Sequence, residues 1–299
     1  MQFNVGLYSE KINILPDEPL SKHSFLRCGG KAELLAFPKS TEELVLIVKE
    51  AKRTHTPITV LGGTTNILIS DKGIEGLVIS TKNLKGITVT ENLVVAAAGE
   101  TLDNVIDKAI EHNLEGLEKL GGIPGTVGGA IFGNAGANGI SAGDFCFYID
   151  YIDRDGEVQR MMHCSDIFSY RKSPFNKDDI IFNVAFRLSP SLNINDTKLE
   201  KEHYKKERIE KGQFRYPSLG CFFKNPGNIS AGKLLDELGA KEMSVNGASV
   251  SPFNANVLIK KQNAISQDFY DLSKKLQTLV KEKKGIDLEY EVTLLGDFQ

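Results

Sequence analysis

Gly121-Gly-Ile-Pro-Gly-Thr-Val-Gly-Gly-Ala-Ile-Phe-Gly-Asn-Ala-Gly-Ala-Asn-Gly139 is the stretch on which the reading of this chain turns. Eight of its nineteen residues are glycine, and no charged residue lies between Lys119 and Asp144. Glycine at this density costs conformational entropy on folding. It also lets the main chain approach a ligand closely, with bare amides turned toward it. Such amides cradle a diphosphate without any Lys or Arg. Pro124 is suited to be the first residue of a short helix, which adds a helix N-terminus aimed at an anion. The spacing is not the dinucleotide fingerprint that follows a first strand. The plain alternative is a tangle of turns in a tight crossover; the composition favours the cradle.

Working outward toward the N-terminus, residues 58–61 read as a short strand that breaks into Gly62-Gly63-Thr64-Thr65-Asn66. Two glycines, two hydroxyls and an amide make either a second anion cradle or a plain hairpin turn. Ser40-Thr-Glu-Glu43 is a capping box, and Leu44, Ile47, Val48 and Ala51 follow at helical spacing. Residues 77–80, 87–90 and 93–98 read as strands. Thr101 can cap a helix whose inner face is Leu102, Val105, Ile106, Ala109 and Ile110. Residues 1–27 read as an irregular arm. Beyond the glycine-rich stretch come strands near 147–153, 157–161 and 180–188. Short strands with few intervening helices predict an α+β fold rather than a doubly wound parallel sheet.

The loop 189–196 is the expected domain boundary, with a region 1–190 before it, in parts of about 1–80 and 81–190, and a second domain, 197–299, after it. Residues 196–211 carry eleven charges of both signs among sixteen positions. They read most simply as a solvated helix face; a second reading has Lys211 reaching a phosphate. The second domain has a strand near 221–224 and a helix capped by Ser230, with Leu234, Leu235 and Leu238 inward and Gly239 as its stop. A strand at 255–259 follows. The next helix starts at Ser266, carries Phe269, Leu272, Leu276 and Val280 on one stripe, and closes at Gly285. The tail alternates, with Ile286, Leu288, Tyr290, Val292 and Leu294 on one face. Asp287, Glu289 and Glu291 share the other, which on pattern alone is an ordinary wet face.

The 299 residues are 41% hydrophobic and 25% charged, enough for two domains with cores of their own. A net charge of −3 argues against a general polyanion binder, so no nucleic-acid partner is expected. No apolar run approaches a membrane span. Residues 1–10 lack the basic start and apolar core of a signal peptide. Cys28, Cys146, Cys164 and Cys221 are scattered, and the five His residues form no metal motif. No metal site and a reducing cytoplasm are the expectation.

Five of these segments together resemble the bacterial UDP-N-acetylenolpyruvoylglucosamine reductases, in the family's order and over nearly the whole chain. Leu61-Gly-Gly-Thr-Thr-Asn-Ile-Leu-Ile-Ser70 is similar to the first flavin loop. Gly122-Ile-Pro-Gly-Thr-Val-Gly-Gly-Ala130 with Asn134-Ala-Gly-Ala is similar to the second. Ser169-Tyr-Arg-Lys-Ser-Pro-Phe175 resembles the Tyr-Arg motif, Gly220-Cys-Phe-Phe-Lys-Asn-Pro226 the Gly-Ser-x-Phe-x-Asn-Pro motif, and Leu288-Glu-Tyr-Glu-Val292 the motif with a catalytic Glu. Three positions depart from the pattern. Cys221 stands where Ser is usual, Asn254 stands where many members have His, and Gly212-Gln213-Phe214 replaces a Lys-Gln-Pro neighbourhood.

The resemblance implies a two-part FAD-binding region of the vanillyl-alcohol-oxidase type followed by an α+β substrate-binding domain, with the tail 286–299 carrying the catalytic Glu. It implies the short form of the enzyme, since residues 172–179 leave no room for an additional substrate loop. It implies a cytoplasmic monomer that uses NADPH and FAD to reduce an enol ether conjugated to a carboxylate on a UDP-sugar. Neither cradle contains the His or Cys that would tether a flavin, so the FAD is non-covalent. Gly62, Gly63, Thr64, Thr65, Asn66, Gly122, Ile123, Pro124, Gly125, Thr126, Gly128, Gly129 and Asn134 are the implied cofactor residues. Arg171 suits the substrate carboxylate, because a guanidinium grips it bidentately and keeps its charge; a surface Arg paired with Asp166 or Asp178 is the plain alternative. Cys221 is the implied proton donor, against the general tendency of a lone Cys to be a small buried hydrophobe. Glu291 shares enolate stabilisation with Arg171. Tyr170, Lys211, Lys224 and Asn225 are the implied substrate contacts.

Overall fold

The computed structural model describes residues 3, 5–8, 11–162 and 165–298, so Cys164 lies outside the described residues. The chain divides into two compact units. The first comprises residues 1–17, 33–63 and 75–207, the second 18–32, 64–74 and 208–299. The linear boundary expected at 190–197 thus becomes a division at 207/208, with two N-terminal segments packed into the C-terminal unit. Long-range pairing is the reason. Strand Ile67–Ile69 runs parallel to Thr293–Leu295, and Gly30 N–H donates to the Ser70 carbonyl at 2.9 Å. The Asp71 carboxylate accepts the Ser266 and Gln267 N–H groups at 3.1 and 2.8 Å, capping the longest helix of that unit.

The first unit holds two cores. One is a four-stranded sheet in the order Asn13–Pro19, Lys31–Phe37, Ile74–Ser80, Ile58–Leu61, covered by helix Thr41–Arg53. That helix starts where expected: Ser40 Oγ accepts the Glu43 N–H at 3.3 Å, and Leu44, Ile47, Val48 and Ala51 are buried. The irregular arm expected over 1–27 is corrected by the strand Asn13–Pro19. It contains Pro16 and a left-handed Asp17 (φ +50°) and sits at the sheet edge, where a missing N–H is tolerated.

The other core is a five-stranded antiparallel sheet, ordered Val158–Met162, Cys146–Ile152, Ile180–Arg187, Leu93–Ala97, Ile87–Thr90. Against it lie helices Leu102–Glu111, capped by Thr101, and Val127–Phe132. The charged segment is a helix, Ile194–Glu210, but it is not solvated all round. Lys201 is 2% exposed and its Nζ reaches Asp107 Oδ1 at 2.5 Å.

In the second unit an antiparallel sheet runs Ser218–Cys221, Val257–Lys260, Ala248–Val250, Ser244–Val245. Helices Ala231–Glu237 and Ser266–Lys284 cover it with Leu234, Leu235, Phe269, Leu272, Leu276 and Val280. Ser230 Oγ accepts the Lys233 N–H at 3.3 Å, and Gly239 and Gly285 end their helices in the left-handed region, as glycines at that position do.

Candidate active site

In the first unit the two glycine loops meet. Gly63 N–H donates to Thr126 Oγ1 at 3.2 Å. A Cβ on Gly63 would lie 2.7 Å from Gly125 Cα, and one on Gly62 would lie 2.6 Å from Thr126 Oγ1. Only glycine permits this approach of backbone to backbone. The helix begins later than Pro124. Thr126 is its N-cap residue, and Gly125, at φ +127°, turns the chain ahead of it.

The amides of the stretch point two ways. Gly122 N–H is bound by Asp103 Oδ1 at 2.7 Å, and Gly128 N–H by the Ala98 carbonyl at 2.9 Å. Among the described residues the N–H groups of Gly62, Gly125 and Gly129 have no acceptor, and Gly129 is exposed. These three are donors the loops leave without an acceptor among the described residues, and Ile123 and Pro124 lie in the turn between them. The other oxygen of Asp103 lies 3.3 Å from Lys205 Nζ, and that carboxylate raises the lysine's pKa above its ordinary value.

Asn134 was expected on the cofactor, but its side chain is committed elsewhere. Its Nδ2 donates to the Ser169 carbonyl at 2.8 Å and its Oδ1 accepts the Gly143 N–H at 3.0 Å. Asn134 therefore ties the glycine stretch to the turn that carries Arg171. That turn is a two-residue hairpin, Tyr170-Arg171, closed by reciprocal Ser169–Lys172 hydrogen bonds of 3.0 Å. Arg171 holds φ +52°, is half-buried, and donates from Nη2 to the Gly136 carbonyl at 3.1 Å. Its guanidinium carbon is 5.1 Å from the centre of the exposed Tyr170 ring. A non-glycine residue in the left-handed region is worth a functional hypothesis.

The chain enters the second unit at Thr64, which is buried at φ +58°. Its Oγ1 accepts the Phe25 N–H at 2.8 Å. Thr65 follows, half-buried. Asn66, also expected on the cofactor, donates from Nδ2 to the Glu291 carbonyl at 3.0 Å. The Glu291 N–H donates to the Phe222 carbonyl at 2.9 Å, so Glu291 is anchored on both sides through its main chain.

Cys221 is exposed at the end of its strand, ahead of the buried Phe222 and Phe223. The rings of Phe222, Phe223 and Tyr290 cluster with centroids 5.6 to 5.9 Å apart, Phe223 stacked on Tyr290 and Phe222 edge-on to both. Tyr290 OH lies 2.9 Å from Ser273 Oγ, and burial raises its pKa. Of the substrate candidates in this unit, Lys224 Nζ lies 3.5 Å from Glu289 Oε2. Asn225 Oδ1 caps the next helix by accepting the Ala231 N–H at 2.9 Å. Lys211 is exposed just beyond helix Ile194–Glu210. Asp103 and Asn256 are the residues that sequence reasoning missed. An acidic residue in a helix's first turn, and an Asn in a polar loop, carry no distinguishing signal.

Comparison with known proteins agrees with these features. Residues 32–162 match the model of the FAD binding domain, and residues 212–295 match the UDP-N-acetylenolpyruvoylglucosamine reductase C-terminal domain. UDP-N-acetylenolpyruvoylglucosamine reductase 2 of Bacillus thuringiensis subsp. konkukian is 36% identical over 289 residues, 95% of this chain and 93% of its own. The reductase of Caldicellulosiruptor saccharolyticus is 35% identical over 301 residues, covering 100% of this chain and 97% of its own. The crystal structure of the Thermus caldophilus reductase matches with a TM-score of 0.79 at 29% identity, over 96% of this chain and 99% of that one. The chain belongs to the UDP-N-acetylenolpyruvoylglucosamine reductase family, with a two-part FAD-binding region and an α+β C-terminal domain.

Proposed function

We propose that this chain reduces UDP-N-acetylglucosamine enolpyruvate to UDP-N-acetylmuramate, with NADPH as electron donor and non-covalent FAD as cofactor. The observation that carries the reading is the approach of Gly62-Gly63 to Gly125-Thr126, with the Gly62, Gly125 and Gly129 amides left for an anion. That cradle fits a diphosphate: it is uncharged and rich in donors. Gly62, Gly63, Gly125, Thr126 and Gly129 would hold the cofactor's pyrophosphate, with Gly122, Ile123, Pro124, Gly128 and Asn134 holding the loop in shape. Bound FAD supplies the two-electron link between the nicotinamide and the enolpyruvyl double bond.

The protein's own tasks are three. Arg171 grips the substrate carboxylate and offsets the negative charge that develops on it. Cys221 donates the proton that the enolate carbon receives. Glu291 stabilises the enolate when it is protonated or holds a bridging water. Tyr170, Lys211, Lys224 and Asn225 are assigned to the substrate, Asn225 by organising the loop through its helix cap. We assign cofactor binding to residues 1–190, in parts of about 1–80 and 81–190, and substrate binding to 197–299. Residues 18–32 and 64–74 fold with the latter. Among the described residues no helix is long and apolar enough to cross a membrane. The reaction is placed in the cytoplasm, catalysed by a monomer, at a step of peptidoglycan synthesis on which cell shape and division depend.

The test is spectroscopic. The purified protein should bind FAD and turn yellow, bleach with NADPH under anaerobic conditions, and recover its colour on addition of the enolpyruvyl UDP-sugar. A colourless protein that cannot be reconstituted with FAD would end the reading.

A further inference from the structure

Cys221 is exposed, and the backbone behind it sets where the residue lies. The strand ladder is irregular there: Ser218 pairs with Ile259 and Cys221 with Val257, with a register shift between them. Phe222 and Phe223 lie beyond that last ladder pair, and Phe223 forms an isolated antiparallel bridge with Tyr290.

We propose that Asn256 is a positioning residue for proton delivery, setting the main chain that carries Cys221 and joining it to the main chain of Glu291. The proposal rests on the reading of Cys221 as proton donor. Asn256 is 3% exposed. Its Oδ1 accepts the Phe223 N–H at 2.9 Å and its Nδ2 donates to the Phe223 carbonyl at 2.8 Å. Its own carbonyl accepts the Phe222 N–H at 2.7 Å, and its N–H is held by Asn254 Oδ1 at 2.9 Å. A primary amide has the same donor and acceptor as a peptide group. Asn256 thus continues the pairing past the end of the ladder, through the Phe223 peptide groups that the bridge to Tyr290 leaves unused. The Phe222 carbonyl passes the constraint on, since it accepts the Glu291 N–H, and Asn66 closes the far side of Glu291.

A role in positioning separates from a role in folding by which half-reaction suffers. Reduction of the flavin by NADPH needs no acid at Cys221, whereas reoxidation by the enolpyruvyl substrate does. In the FAD-loaded, full-length Asn256→Ala enzyme, stopped-flow absorbance should show flavin reduction within about twofold of wild type, while a misplacement of the donor by about 1 Å lowers reoxidation ~100-fold.

Asn256→Asp supplies the second readout. Its protonated carboxyl can donate to the Phe223 carbonyl and accept the Phe223 N–H, as the amide does. Its carboxylate can only repel that carbonyl. Reoxidation relative to wild type should therefore recover as pH falls from about 8 to about 5.5, where a buried carboxyl regains its proton. Equal losses in both half-reactions, reoxidation of Asn256→Ala at the wild-type rate, or an Asn256→Asp profile parallel to wild type would each overturn the positioning role. A wild-type flavin that bleaches with NADPH and is not reoxidised by the substrate would instead overturn the reduction reading, and the positioning role with it.

Discussion

Gly129→Val separates cofactor binding from folding. Gly129 is the third residue of helix Val127–Phe132, and a Cβ there would meet only Thr126 Oγ1, at an ordinary 3.5 Å. Valine is a better helix former than glycine by ~0.3 kcal/mol, so apoprotein stability should be unchanged or slightly raised. Gly129 is exposed, and its N–H has no acceptor among the described residues. Valine keeps that N–H, so the effect is steric: where the amide serves the pyrophosphate, the new side chain pushes the anion off it, and the charge-assisted hydrogen bond so lost costs about 1.5–3 kcal/mol. That weakens FAD binding roughly ten- to a hundred-fold. Gly63→Ala is the contrasting case. Its Cβ would lie 2.7 Å from Gly125 Cα, where neither backbone can yield cheaply. It should lose FAD and about 1–3 kcal/mol of stability together. The assay is the flavin-to-protein absorbance ratio after gel filtration, with an FAD titration and apoprotein melting on the same samples. Gly129→Val that keeps wild-type FAD affinity, or that loses stability as Gly63→Ala does, refutes the placement.

Cys221→Ala should leave flavin reduction by NADPH intact and slow reoxidation by substrate by several orders of magnitude, whereas Cys221→Ser keeps substantial activity; single-turnover absorbance of both half-reactions decides it. Asp103→Ala leaves the buried Gly122 N–H without its acceptor. It should lower stability by about 1–3 kcal/mol and weaken FAD binding, read by melting with and without cofactor. Because burial raises the Tyr290 pKa, its contribution to stability is complete below the unfolded phenol value of about 10 and is lost as pH rises through the folded value. Tyr290→Phe should therefore melt lower at neutral pH, having lost its contacts to Ser273 and Gln277, yet show a shallower decline above about pH 10.

The features legible in the sequence are those decided within a few residues. Ser40, Thr101, Ser230 and Gly285 end their helices as read, because a cap depends on neighbours three or four positions away. The strand Asn13–Pro19 was hidden by two prolines and a left-handed Asp17, which an edge accommodates and a central strand does not. Pro124 gave a sound signal for a helix start, but the glycine after it takes φ +127°, so the chain turns once more before the helix. Which glycine amides face inward was not legible at all. It depends on Asp103 and Ala98, brought beside Gly122 and Gly128 by the fold. The discontinuous units likewise follow from pairing between residues 67–69 and 293–295, a contact no local pattern announces.

The asparagines of the family motifs give a more general lesson. Reading the motifs assigned Asn66 and Asn134 to the cofactor and Asn225 to the substrate. In the structure each of them binds main chain: Asn66 the Glu291 carbonyl, Asn134 the Ser169 carbonyl and the Gly143 N–H, Asn225 the Ala231 N–H. Asn254 and Asn256 do the same. The physical reason is shared. Loops rich in glycine and turns have no ladder to satisfy their peptide groups, and a buried peptide group without a partner costs more than a made hydrogen bond gains. An asparagine carries a peptide-like group on a short stem, so it can complete the missing pair where no second strand can reach. On the proposed reading the ligand-facing work falls to other groups: bare glycine amides for the anion, the Arg171 guanidinium for the carboxylate, and the Cys221 thiol for the proton. A polar residue inside a binding motif is therefore as much a candidate for holding the loop as for touching what the loop holds.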